Sequence, residues 1–126
     1  MESPFKGKTG ITRLLNAFGY SIDGLRECYR LEDAFRQEVL LAAILLPIAI
    51  FLPVSGLGHA LMIGSVLLVL IVELLNSAVE ATVDRVGLEK HNLSKRAKDI
   101  GSAAVLISLV NVIAIWTCVI AGELLT

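Results

Sequence analysis

The chain has 126 residues, 56% of them hydrophobic and 18% charged, against roughly 45–50% and about 25% in an average soluble domain. So small a soluble domain has a high surface-to-volume ratio and needs more polar cover, not less. The mean hydropathy of +0.77 therefore excludes disorder, a nucleic-acid-binding arm, a collagenous repeat and an ordinary secreted domain, and leaves a small integral membrane protein. A net charge of −1 says nothing by itself; the placement of the charges does.

The chain opens without the pattern of a signal peptide, because its first apolar stretch begins only near residue 39. Before it, Ile11, Leu14, Leu15, Phe18, Ile22 and Leu25 recur at helical spacing, opposite Arg13, Asn16, Asp23 and Arg26. With basic residues flanking it, the region 10–36 is expected to form a helix lying in the membrane interface, with Gly19 and Gly24 as points where it could divide. A helix capping a soluble partner is the competing reading.

From Val39 to Val72 there is no Asp, Glu, Lys or Arg. That run exceeds one span of roughly 20 residues and approaches two short ones. Its Pro/Gly cluster, Pro53-Val54-Ser55-Gly56-Leu57-Gly58-His59, marks the turn of a helical hairpin. A third uncharged run extends from Ile100 to Gly122. The expected fold is all-α: transmembrane helices over residues 37–53, 60–84 and 100–122 plus the interfacial helix, in one domain. Pro47, lacking an N–H, is expected to kink or loosen the first span.

Lys6, Lys8, Arg13, Arg26, Arg30 and Arg36 precede the first span, while Arg85, Lys90, Lys95, Arg96 and Lys98 fill the connector before the third. The 53–59 turn carries no Lys or Arg. Positive-inside asymmetry places the N-terminus and the 84–99 connector in the cytoplasm and the C-terminus outside. Cys28 and Cys118 then lie on opposite sides of the membrane and cannot pair; Cys118 reads as packing and Cys28 as a bystander.

The second span is anomalous. Taking about 100° per residue, Glu73, Asn76, Ser77, Glu80 and Asp84 occupy one arc of roughly 100°, with Leu74, Leu75, Val79 and Val83 outside it. Carboxylates facing acyl chains cost several kcal/mol, so the stripe must face protein or water and is by default a functional site. Asn76 and Ser77 alone would suit simple interhelical hydrogen bonding. Glu80 lies about 6 Å inward of Asp84 and Glu73 about 16 Å inward. Glu80 can still meet a soluble ion or nucleotide, whereas desolvation at Glu73 suits a general base. Lys98 is placed to reach the Glu80 site, and Arg13 with Glu32 or Asp33 lies near the same surface. Carboxylates of this kind suit Mg²⁺, and the cations suit phosphates. Gly7-Lys8-Thr9 echoes the end of a P-loop, but the required earlier glycine is Glu2.

The run Glu73-Leu74-Leu75-Asn76-Ser77-Ala78-Val79-Glu80-Ala81-Thr82-Val83-Asp84-Arg85 resembles the signature of the small prokaryotic integral-membrane diacylglycerol kinases. Ala97-Lys98-Asp99-Ile100-Gly101-Ser102-Ala103-Ala104 and Ala34-Phe35-Arg36-Gln37-Glu38 match as well. The resemblance implies a homotrimer that transfers the γ-phosphoryl group of ATP to diacylglycerol with Mg²⁺ at the inner membrane, giving phosphatidic acid. By motif position it makes Glu73 the catalytic base and Glu32 and Glu80 the metal-binding carboxylates. It assigns nucleotide contacts to Arg13, Tyr20, Glu32, Glu80, Glu89, Lys90, His91, Lys98 and Asp99. Lipid contacts are implied at Arg13, Ala17-Phe18-Gly19-Tyr20-Ser21-Ile22, Arg26-Glu27-Cys28-Tyr29, Ala34-Phe35-Arg36-Gln37-Glu38, Glu73, Ser102 and Trp116. Asn76, Ser77 and Asp84 are supporting positions. The competing readings are undecaprenol kinase on the same scaffold, a non-enzymatic membrane subunit whose stripe is an assembly seam, and an ion pathway. The small residues Gly101, Ser102, Ala103 and Ala104 permit close helix approach in an assembly.

Overall fold

A computed structural model describes residues 9–87 and 91–126, as four helices and no strand among those residues. They are α1 (Gly10–Leu31), α2 (Asp33–Phe51), α3 (Gly56–Val86) and α4 (Asn92–Leu124). The fold is all-α, as expected. Two compact units are distinguished, residues 1–32 and 33–126.

In the first unit, α1 is one continuous helix, undivided at Gly19 or Gly24. Glycine costs helix stability but does not prohibit helix, so a long amphipathic segment absorbs two of them. Gly10, at φ +72, starts the helix in the left-handed region that glycine tolerates. At the other end the Glu32 N–H donates to the Cys28 carbonyl (2.9 Å). Ile11, Leu14, Leu15 and Phe18 are all exposed and Ile22 is half-buried, so most of the apolar stripe remains open, as an interfacial helix requires. Cys28, expected as a bystander, is buried.

In the second unit α3 packs against both α2 and α4. On α2 the buried residues are Phe35, Glu38, Ala42 and Ala49. On α3 they are Gly58, Met62, Ser65, Val66, Val69, Glu73 and Asn76, and on α4 Ser108, Val112 and Val119. Steps of three, four and seven mark one face per helix. Ala42 and Ala49 let α2 approach closely, the usual device where lipid removes the hydrophobic drive between helices. The innermost cluster, Ala49, Met62 and Val119, is flanked by Leu52, Ile115, Trp116 and Ile120. The Trp116 indole N–H lies within reach of the Ser65 hydroxyl (3.2 Å) and the Met62 carbonyl (3.3 Å).

Several boundaries differ from expectation. α2 begins at Asp33 rather than 37 and runs unbroken through Pro47; the missing N–H deprives one carbonyl of its donor, and packed neighbours hold the helix. The hairpin turn is shorter than expected, because α3 already begins at Gly56. Ser55 caps it, accepting from the Gly58 N–H (2.9 Å), and the Glu123 carboxylate accepts from the Ser55 N–H (2.7 Å) and hydroxyl (3.0 Å). A Cβ at Gly58 would lie 2.5 Å from Glu123 Oε2 and 3.2 Å from Val119. This corner therefore needs glycine for space rather than for a turn. α4 starts at Asn92, eight residues before the uncharged run, because the His91 imidazole accepts from the Leu93 N–H (3.0 Å) and caps it. Cys118, expected to pack, is exposed; the buried face of α4 passes through Val112 and Val119 instead.

Of the four small residues on α4, only Gly101 is drawn against α3, at Asn76; Ser102, Ala103 and Ala104 are exposed. Much of the unit's apolar surface also remains open, including Leu40, Ile71, Leu106, Ile107 and Ile113. Helices α2, α3 and α4 are each long and apolar enough to cross a membrane.

Candidate active site

The packing face of α3 changes chemistry at Glu73. Through Met62, Val66 and Val69 it is mainly apolar; beyond, the same face continues as Glu73 and Asn76, both buried, then half-buried Glu80 and exposed Asp84. The expected stripe therefore exists as a gradient from dry to wet along one face. Ser77 flanks it, half-buried. Leu75 and Val79 are exposed, away from the stripe.

Glu73 is 3% exposed and Glu38, facing it from α2, is 9% exposed. The two carboxyl groups lie within electrostatic range of each other. One turn further along α3, the Asn76 amide donates to Glu80 Oε1 across a long 3.4 Å. Its own carbonyl oxygen is buried without a hydrogen-bond partner. Gly101 lies directly over that oxygen, and a Cβ there would overlap it. At the wet end the Lys98 ammonium pairs with Asp84 (2.8 Å), joining α3 to α4. Lys98 was expected to point into the same site as Glu80; its ion pair is with Asp84, one turn nearer the end of α3, and Glu80 lies within electrostatic range.

The basic run on α4 is organised along that helix. Lys95 pairs with Asp99 (2.6 Å), and both line a shallow cleft of about 330 Å³ with Asn92, Arg96, Ile100 and Ala103. Among the positions the resemblance assigns to nucleotide, His91 caps α4 through Nδ1, while Glu89 and Lys90 lie outside the described residues. Arg13 and Tyr20 are exposed on α1, and Glu32, half-buried, is the single residue between α1 and α2.

Among the implied lipid positions, Ala17, Phe18, Gly19, Tyr20, Ser21, Arg26, Glu27 and Tyr29 are exposed on α1. On α2, Ala34 and Gln37 are exposed, Arg36 is half-buried and ion-paired with Asp33, and Phe35 and Glu38 are buried. Ser102 is exposed and Trp116 half-buried on α4. Trp116 also lines an apolar groove of about 580 Å³ between α2 and α4, with Leu41, Leu45, Val112 and Ile120.

The chain matches the family described as prokaryotic diacylglycerol kinase over residues 19–120. It is 57% identical to the diacylglycerol kinase of Pseudomonas aeruginosa over 120 residues, covering 95% of this chain and 98% of that one. The corresponding enzymes of Haemophilus influenzae and Escherichia coli are 53% and 52% identical over 108 residues, 86% of this chain and 92% and 88% of theirs. This chain belongs to the prokaryotic diacylglycerol kinase family. It is thus a membrane-embedded lipid kinase, and ATP use comes with kinase membership.

A kinase of this family raises the question of a metal. Among the described residues, no group of three or more His, Cys, Asp or Glu gathers into a cage. Mg²⁺ working with a nucleotide does not need one: it takes one or two carboxylates and completes its shell with phosphate oxygens and water. Half-buried Glu80 beside the unpartnered Asn76 carbonyl oxygen offers hard oxygen donors of that kind. The donor set fits.

Sequence reasoning did not bring Glu38, which the family resemblance puts among the lipid contacts, near Glu73. A signal was present. Glu38 and Glu73 are the charges that bound the uncharged 39–72 run on either side. In a hairpin whose turn lies between Phe51 and Gly56, the two stand toward the same end, within about one helical turn of each other in depth.

Proposed function

We propose that this chain transfers the γ-phosphoryl group of ATP to the free hydroxyl of diacylglycerol, giving phosphatidic acid, at the cytoplasmic face of the bacterial inner membrane, in phospholipid turnover. The observation that carries the reading is the buried Glu73 on a face whose next turns hold Asn76, Glu80 and Asp84 in rising contact with water. A lipid hydroxyl and a soluble nucleotide have to meet at such a dry-to-wet boundary. The names of the relatives supply the lipid.

The Glu73 carboxylate accepts the proton of the lipid hydroxyl as that oxygen attacks the γ-phosphorus. The bond from the γ-phosphorus to the bridging oxygen breaks, and ADP leaves with the electron pair. Phosphoryl transfer requires little covalent chemistry from protein, so the remaining residues orient and neutralise. Glu80 and Glu32 would hold Mg²⁺, which when bound supplies positive charge to the phosphate oxygens. Lys98 and Arg13 add cationic charge. Tyr20, Glu89, Lys90, His91 and Asp99 contact the nucleotide; α1, Ala34 to Glu38, Ser102 and Trp116 contact the lipid. The working form is a homotrimer with the N-terminus cytoplasmic and the C-terminus outside.

Purified protein given radiolabelled ATP with diacylglycerol or undecaprenol in separate reactions tests the assignment. Label is expected in phosphatidic acid. Label in undecaprenyl phosphate alone would move the substrate to the polyprenol class, and label in neither would remove the kinase reading.

A further inference from the structure

Ser65 lies eight residues before Glu73 on α3, about 12 Å along the helix toward its apolar end. It is 3% exposed, and its hydroxyl donates to the Met62 carbonyl of its own helix (2.7 Å). A hydroxyl has one proton, so toward Trp116 it can only accept, and the indole N–H donates to it across 3.2 Å. The Met62 carbonyl, 3.3 Å from the same N–H, is the poorer acceptor. The helical N–H of Val66 and the Ser65 hydroxyl already take up its two lone pairs. The Ser65–Trp116 bond joins α3 to α4, and the same indole lines the groove between α2 and α4. An indole N–H left unpaired among apolar groups is costly, so the acceptor selects the orientation of the ring and, with it, the width of the groove at that level.

We propose that Ser65 is a positioning residue for lipid selectivity, holding the Trp116 indole in the orientation that shapes this groove for an acyl chain of the substrate. The inference rests on the reading of Trp116 as a lipid contact and deepens it. Depth and chemistry name the occupant. The groove walls beside Trp116, among them Leu41, Leu45, Val112 and Ile120, are apolar and belong to two helices able to cross a membrane. A diacylglycerol whose hydroxyl lies at Glu73 directs its chains away from the wet end of α3, toward this level. Dioleoyl chains extend past Trp116, whereas dihexanoyl chains end before it. Ser65 touches neither the lipid nor the reacting atoms.

The test compares purified Ser65→Ala, Ser65→Cys and Trp116→Phe with the unmodified protein on dioleoylglycerol and dihexanoylglycerol. It measures kcat/KM for each lipid, KM for ATP, thermal unfolding and the emission anisotropy of Trp116, the single tryptophan. Ser65→Ala should lower the dioleoyl-to-dihexanoyl ratio of kcat/KM by roughly 2–10-fold, the usual worth of one hydrogen bond. Anisotropy should fall as the ring loses its anchor, with KM for ATP unmoved. Sulfur is a weak acceptor, so Ser65→Cys should shift both readings the same way, and it serves as the reading if Ala does not fold. An unchanged ratio would overturn the proposal, as would an equal loss on both lipids, which would make the bond purely structural. A normal ratio in Trp116→Phe would remove the lipid contact at Trp116 and this proposal with it. An altered ratio in Trp116→Phe beside a normal one in Ser65→Ala would remove this proposal alone.

Discussion

At the scale of single residues, the wet-to-dry gradient on α3 separates roles that a list of acidic residues would merge. Glu73, deep and protein-enclosed, suits proton abstraction; Glu80, one turn from Asp84 and half-buried, suits a cation shared with phosphate. Glu73→Gln is expected to lower kcat by at least about 100-fold, the lower range for general-base catalysis, while ATP binding measured by calorimetry persists. Glu80→Ala should instead raise the Mg²⁺ concentration needed for half-maximal rate. The same contact explains why position 101 needs glycine: an added Cβ would overlap the Asn76 carbonyl oxygen. Gly101→Ala should destabilise the bundle by about 1–3 kcal/mol through overpacking, read by thermal unfolding. Adding Asn76→Ala should recover that stability without recovering activity.

At the scale of elements, the outer corner and α1 do different work. Ser55 caps α3 and is itself held by Glu123 at the end of α4, so one hydroxyl ties two helix ends. Ser55→Ala is expected to cost about 1 kcal/mol or more, seen as a lower unfolding temperature, with kcat unchanged because the corner contains no site residue. Helix α1 keeps its apolar stripe open, which has physical sense only against lipid or a partner. With Trp116→Phe removing the single native tryptophan, a Phe18→Trp variant in vesicles should emit at shorter wavelength than in denaturant. Emission typical of water in vesicles would contradict the interfacial placement.

At the scale of the whole molecule, helix length and charge set the position of the site. α3 has 31 residues, about 46 Å at 1.5 Å each, against a hydrocarbon core of about 30 Å. Measured from Gly56, the core is crossed within about 20 residues, near Asn76. Glu73 then lies just inside the boundary and Glu80 and Asp84 beyond it. In the proposed orientation, with the basic connector in the cytoplasm, that boundary is the cytoplasmic one. On a background with both cysteines replaced by serine, Gly56→Cys should react with a membrane-impermeant maleimide in intact cells, and Asn92→Cys only after lysis. The opposite pattern would invert the topology. Gly56 has open space around it, so the substitution itself is tolerated.

The class of the protein, its helices and the polar face were legible in the sequence because each follows from local pattern. Uncharged runs give spans, a Pro/Gly cluster gives the hairpin turn, and a period near 3.6 residues puts Glu73, Asn76, Glu80 and Asp84 on one face. Helix ends were less legible. The starts at Asp33, Gly56 and Asn92 depend on caps and polar turns, which hydropathy does not register. Which residues meet across helices was not legible at all from any one segment. Lys98 takes Asp84, Asn76 closes against Gly101, and Glu38 comes near Glu73, because packing decides which rotations of three helices coexist. The sequence by itself determined that carboxylates must enter a greasy helix on one side. Only the tertiary structure decided that the deepest of them is enclosed with a second buried acid, Glu38, since which faces of α2 and α3 meet is set by helix packing and not by periodicity.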